Sequence, residues 1–196
     1  ILELVLFRSV PRRDTKPIAK AMMAAFGSFS GAVAAPAARL REISGVGERV
    51  ISDLRLIKAA AERFAHHELV ARPTLSSTDA VARYYKTVLR AADREEFHLC
   101  FLGKKNQLLG TERAGIGTVD HAPVYPREVL TRALHHNASA VVLVHNHPSG
   151  DPTPSRADVL LTRKIVEALA PVSIAVHDHI IIAGDSYLSL RGEGYL

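Results

Sequence analysis

Cysteine is almost missing from this sequence of 196 residues. A single Cys100 excludes an internal disulfide framework and any site that needs several thiolates. Its apolar setting, His98-Leu99-Cys100-Phe101-Leu102, predicts a small buried hydrophobe and a reducing, cytoplasmic compartment. Long apolar runs are also lacking: none approaches the roughly 20 residues of a membrane span, so no membrane contact is expected. The start, Ile1 to Arg8, lacks the charged, apolar, small order of a secretion signal, and without an initiating Met the chain is expected to be trimmed or renumbered. Internal repeats and low-complexity segments are absent. The 47% hydrophobic and 23% charged composition is that of a folded protein with room for one or two domains.

The net charge of +5 is unevenly placed. Residues 1–72 hold 12 Lys and Arg against 7 Asp and Glu, whereas residues 73–196 hold 13 of each. A basic module beside a neutral one points to phosphate binding in the first and chemistry in the second, with a plain solvated face as the alternative.

Residues 1–72 read as helical. Apolar positions recur at helical spacing through Ile18–Phe26 and again from Val50 to Phe64, and Gly27 is placed to end the first helix. Between them, Ile43-Ser44-Gly45-Val46-Gly47 makes a tight turn before a helix from about Glu48, a helix-hairpin-helix pattern. Ala71-Arg72-Pro73-Thr74 breaks the helix and reads as a linker, because Pro pushes the residue before it out of the α region. From residue 73 to 196 strands and helices alternate. Ser77 or Thr78 caps a helix to about Arg90. Phe97–Leu102 and the stretch around Gln107–Leu109 pair as strands with Asn106 in the turn. Pro126 opens a helix to about His136, Ala140–Val144 is a strand of the buried kind, and a helix runs from Ser155 to Leu169. Val172–Val176, His179–Ile182 and Tyr187–Leu190 are β-rich, with a turn at Gly184-Asp185. The pattern is an α/β or α+β layered domain around a mixed sheet.

The chemistry concentrates between Val144 and Asp158. His145 and His147 stand two apart at the end of a strand, so both imidazoles face the same way and can share one ion. Ten residues, rich in Pro and Gly, then bring the chain back to a helix whose first turn carries Asp158. Two neutral imidazoles and a carboxylate suit Zn²⁺ and leave a fourth position for water. Each element also has a plainer reading: a His-x-His at a strand end can be surface or core, and Ser155-x-x-Asp158 is an ordinary capping box. Together they favour an ion, since two histidines and a carboxylate gathered at a buried strand end are costly without one. The general base is Glu95 or Glu96; strand alternation alone leaves both open. His177 and His179, flanking Asp178, either support the ligands or serve the fold. His66-His67 and His135-His136 lack a carboxylate or thiol at ligand spacing and are read as surface residues.

The run His145-Asn146-His147-Pro148-Ser149-Gly150, with Pro154-Ser155 and Asp158 and then Asp178-His179-Ile180-Ile181-Ile182, resembles the RadC family, a bacterial branch of the JAMM (MPN-type) metalloproteases. The likeness covers nearly the whole chain, because RadC-like proteins also carry a helix-hairpin-helix region, matched by Ile43–Gly47. It implies one zinc ion on His145, His147 and Asp158, Glu95 as the base two residues before a strand aromatic, and Ser155 stabilising an oxyanion. The implied fold is a three-layer α/β/α sandwich like that of cytidine deaminases. Gly103-Lys104-Lys105-Asn106 departs from the family's usual Leu-Asp-x-x-Asn turn.

Two functions follow. One is a zinc-dependent hydrolase of an amide or isopeptide bond in a peptide or protein. The other is a DNA-binding accessory protein of repair or recombination, contacting phosphates through residues 1–72 and keeping a structural or vestigial metal site. A nucleobase deaminase is excluded, because its signature needs Pro-Cys-x-x-Cys and the chain has one cysteine.

Overall fold

A computed structural model describes residues 1–10, 13–70, 78–90, 92–117 and 124–196. The linker read at Ala71–Thr74 and the cap read at Ser77 lie outside the described residues. The chain divides into two compact units, Ile1–Phe64 and Ala65–Leu196, with the boundary inside one helix.

The first unit is helical: α1 (Leu2–Ser9), α2 (Lys16–Phe26), α3 (Phe29–Ala34), α4 (Ala37–Arg41) and most of α5 (Glu48–Val70). Its core is Leu6, Met22, Leu40, Ile51 and Leu54, all essentially inaccessible to water. Gly27 caps α2 at φ +73°, a conformation that costs glycine little. Of the two glycines before α5, only Gly45 has positive φ, +89°, and a Cβ there would lie 2.8 Å from Ile18 Cδ1. The tight turn is therefore built on Gly45, whose missing side chain lets α2 pack against it.

The second unit holds α6 (Thr78–Leu89), β1 (Glu96–Leu102), β2 (Leu108–Ile116), α7 (Pro126–His135), β3 (Ala140–Asn146), α8 (Arg156–Leu169), β4 (Ala175–Ala183) and β5 (Ser186–Ser189). The sheet order is β2-β1-β3-β4-β5, parallel only between β3 and β4, where α8 makes the crossover. The fold is α/β with a mixed sheet. Every residue of β3 is buried, which is why Ala140–Val144 reads as an unbroken apolar run. On one sheet face Val81, Tyr85 and Leu89 of α6 pack on Cys100, Val142, Val144 and Ile180; on the other, Val129 of α7 and Ile165 and Leu169 of α8 pack on Leu99, Phe101, Val141 and Leu143.

Three local expectations change. The two β-rich stretches expected at Val172–Val176 and His179–Ile182 give a single strand, β4, that starts only at Ala175, while Val172 ends a short 3-10 turn at Ala170–Val172. A bulge at His177 joins them: Val141 pairs with Val176, but Val142 pairs with Asp178. Second, β2 extends to Ile116, well beyond Gln107–Leu109, because an edge strand presents polar residues to solvent and its sequence loses the apolar signal. Third, Thr78 is the first residue of α6 rather than the residue before it, and its Oγ1 donates to the Asp178 carboxylate at 2.9 Å. Among the described residues, no helix is long and apolar enough to cross a membrane.

Candidate metal centre

The centre forms where β3 ends. Phe97 of β1 lies directly across from His145, and its ring stacks on the imidazole with the planes 7° apart. His145 is 3% exposed. His147 follows one residue after the strand and extends the ladder, its backbone N–H donating to Ile182 at 2.8 Å. The two Nε2 atoms are 2.9 Å apart.

Asp158 arrives from α8 through a capping box. Ser155 Oγ accepts from the Asp158 amide at 3.1 Å, while Asp158 Oδ2 accepts from the Ser155 amide at 2.8 Å and from its hydroxyl at 2.6 Å. The same carboxylate faces the histidines: Oδ1 is 3.4 Å from His145 Nε2, and Oδ2 is 3.5 Å from His147 Nε2. Capping and convergence thus belong to one arrangement, since the cap fixes the rotamer that turns Asp158 inward.

Hydrogen-bond directions define what the histidines present. A carbonyl oxygen only accepts, so the 2.8 Å contact from His147 Nδ1 to the Asp151 carbonyl is an N–H donation. In the neutral ring, Nε2 of His147 is then a bare lone pair. His147 Nε2, His145 Nε2 and the Asp158 carboxylate are the only described residues' atoms that form a cluster of at least three His, Cys, Asp or Glu ligand atoms, all within 4.8 Å of one another. Around a zinc ion with bonds of about 2.0–2.1 Å, tetrahedral ligand atoms lie about 3.3 Å apart, close to the separations seen here. The set fits a small divalent cation, which would offset the mutual repulsion of three electron-rich groups.

The protonation of the cluster follows from burial and charge. Burial depresses His145 to about 4, with the neighbouring His147 adding to the fall and Asp158 opposing it. His147 is held above the ordinary imidazole range, chiefly by the Asp158 carboxylate and then by the Asp151 carbonyl and Glu95. Burial pushes Asp158 up, but His147, His145 and the Ser155 bonds outweigh it and hold the carboxylate well below its usual range. A cation bound here would therefore compete with a proton on His147.

Glu95 and Glu96 part company at the start of β1. The Glu96 carboxylate meets His98 at 3.1 Å and Arg113 at 3.3 Å, on the face where His98 packs against Tyr85 of α6. Glu95 lies just before the strand, half-buried, with its charge acting on His147. Asn146, between the two histidines and 2% exposed, clamps the backbone on either side of Glu95: its Nδ2 donates to the Arg94 carbonyl at 2.9 Å, and its Oδ1 accepts from the Glu96 amide at 2.8 Å. The His145–Gly150 run by itself gives Asn146 no role, although a polar residue at a buried strand position is a usable signal.

His179 lies against the centre and His177 does not. His179 Nε2 is 2.8 Å from His145 Nδ1, and its other nitrogen is 2.6 Å from Thr162 Oγ1. His177 Nε2 instead meets Asn106 Oδ1 at the β1–β2 turn, where Asn106 adopts φ +55°. His136 is no plain surface residue: it stacks on Phe101, ring centroids 4.1 Å apart, and bonds Glu112 at 2.7 Å. His66 packs edge-on against Tyr84, and His67 is exposed.

Comparison with known proteins matches residues 75–195 to the family described as the RadC-like JAB domain. The chain is 49% identical over all 196 residues to a UPF0758 protein of Rhodobacter capsulatus, of which it covers 92%, and 49% identical over the same length to a UPF0758 protein of Ruegeria pomeroyi, of which it covers 88%.

Proposed function

Since this chain belongs to the RadC-like JAB domain family, we propose that it is a zinc-dependent hydrolase of amide or isopeptide bonds in a peptide or protein, working in the cytoplasm. The observation that carries the reading is the convergence of His145 Nε2, His147 Nε2 and the Asp158 carboxylate. These three residues would hold one zinc ion per chain, with helices on both sheet faces making the three-layer scaffold around it. When bound, the ion supplies Lewis-acid activation of water and of the scissile carbonyl oxygen.

The protein's own groups do the rest. Glu95 takes a proton from the attacking water and passes it to the leaving nitrogen as the C–N bond breaks. Asn146 holds Glu95 at its station through the two backbone bonds beside it. Ser155 turns its hydroxyl hydrogen from Asp158 Oδ2 toward the carbonyl oxygen as charge grows there. In the proposed division of labour, residues 73–196 carry the chemistry and residues 1–72 contact DNA phosphates. The surplus of basic residues in 1–72 and the Gly45 turn before α5 support that contact. The same observations support the second reading, an accessory protein that needs only the DNA contact.

Elemental analysis of purified protein should find about one zinc per chain, greatly reduced in His147→Ala, because a two-ligand site holds zinc poorly. Incubation with peptide and isopeptide libraries should release products that a chelator abolishes. Full zinc in His147→Ala refutes the ligand set; zinc without any hydrolysis favours the accessory protein.

A further inference from the structure

Ligand histidines work only in the correct tautomer, and here the hydrogen-bond directions reach beyond the three ligands. Thr162 Oγ1 lies 2.6 Å from the backbone carbonyl of Asp158. That oxygen can only accept, so the single hydroxyl hydrogen of Thr162 points to it. The 2.6 Å contact between Thr162 Oγ1 and His179 Nδ1 must then be a donation from the ring N–H. In the neutral imidazole of His179 this leaves Nε2 bare, and Nε2 faces His145 Nδ1 at 2.8 Å. His145 Nδ1 therefore carries the hydrogen, and His145 Nε2 presents its lone pair to Asp158 and His147.

We infer that His179 and Thr162 are positioning residues of the metal centre: as a buried relay they set the tautomer of His145 and tie it to α8, the helix that delivers Asp158. The relay begins and ends on the ligand set. It runs from the ring of His145 through His179 and Thr162 to the backbone of Asp158, joining ligands from β3 and α8. His179 is wholly buried, with Phe97 packed against its ring at 5.4 Å, so it has no room to turn to another partner. Thr162, 1% exposed, spends its one hydrogen on the preceding helical turn, the geometry that makes its oxygen an acceptor for His179. The inference rests on the reading of His145 as a ligand, but the tautomer can be observed without metal.

The test uses the full chain, metal-free and labelled with 15N-histidine. Long-range 1H–15N correlation separates protonated from bare ring nitrogens. In the native protein His145 should show hydrogen on Nδ1 and a bare Nε2. Thr162→Val keeps the shape but removes the acceptor, so His179 can adopt its other tautomer and His145 should lose the single pattern. Zinc affinity, measured by competition with a chromophoric chelator, should fall about 10–100-fold, and Thr162→Ser should restore both readouts. Hydrogen on His145 Nε2 in the native protein overturns the relay, as does a Thr162→Val protein with native tautomer and native affinity. If Thr162→Val does not fold, the native pattern and Thr162→Ser still decide. If the native protein takes up no zinc, the hydrolase reading fails, while Nδ1–H on His145 supports the relay and Nε2–H overturns it.

Discussion

Glu95 and Glu96 are adjacent in the chain, yet one acts on His147 and the other is taken by His98 and Arg113. Replacing Glu95 with Gln keeps size and polarity but removes the proton acceptor. Zinc content should stay native while turnover falls about 10²–10⁴-fold. Glu96→Gln, measured beside it, should leave both nearly unchanged; a larger loss there would reverse the assignment. Acid should also be felt at single residues. Burial depresses His145 to about 4 and lowers His179 and His98 as well. Between the ordinary imidazole value of about 6.5 and about 4 the unfolded chain binds more protons at these sites, so stability is lost as pH falls through that window. His147, raised, opposes them, and the depressed Asp158 contributes stability that persists until lower pH. Urea unfolding of metal-free protein should show a loss on the order of 1–3 kcal/mol between pH 7.5 and pH 5. Equal stability at the two values would mean that these histidines are not buried neutral.

Elements succeed or fail at their ends. The first turn of α8 is where a cap becomes chemistry: the bonds that satisfy the helix amides also aim the Asp158 carboxylate at the histidines. The start of α5 depends on a different device. Gly45 needs both its positive φ and its missing Cβ, whereas Gly47 has ordinary φ and no neighbour within 4 Å of an added Cβ. Gly45→Ala should therefore lower the unfolding free energy by about 1–3 kcal/mol, through strain and displacement of Ile18. Gly47→Ala should change it by less than about 1 kcal/mol. Denaturant midpoints of the two variants, compared side by side, decide whether the turn is built as described.

Across the molecule, charge and core divide alike: the helical unit has its own buried cluster around Leu6, Met22 and Leu54, and the sheet unit has one on each face. The excess of basic residues lies in 1–72. Contacts from a backbone turn and scattered arginines neutralise phosphates without reading bases, so the full chain should bind duplex or branched DNA weakly and without sequence preference. Affinity should fall by about 0.9 log units per log unit of salt for each phosphate neutralised. Fluorescence anisotropy across a salt series measures the slope; salt-insensitive binding, or none at low salt, would assign the helical unit to protein contacts instead.

The sequence alone determined whatever local periodicity encodes. The apolar run of β3, the helix of α8 and its Ser155–Asp158 cap, the positions of Gly27 and Asn106, and the spacing of His145 and His147 are all legible, because each rests on interactions within a few residues. Edge strand β2 was legible only at its start, because solvent exposure erases the apolar pattern. What joins distant segments was decided by tertiary structure. Alternation could not choose between Glu95 and Glu96 until the sheet fixed which face holds His98 and which holds the His145, His147 and Asp158 cluster. Nor could it show that His179 touches His145, 34 residues away. The bulge at His177 inserts one residue into β4 opposite β3, and side chains alternate with a period of two. That extra residue puts Asp178 on the α6 face and His179 on the face of the cluster, a switch no local pattern records because it exists only in the pairing of two strands.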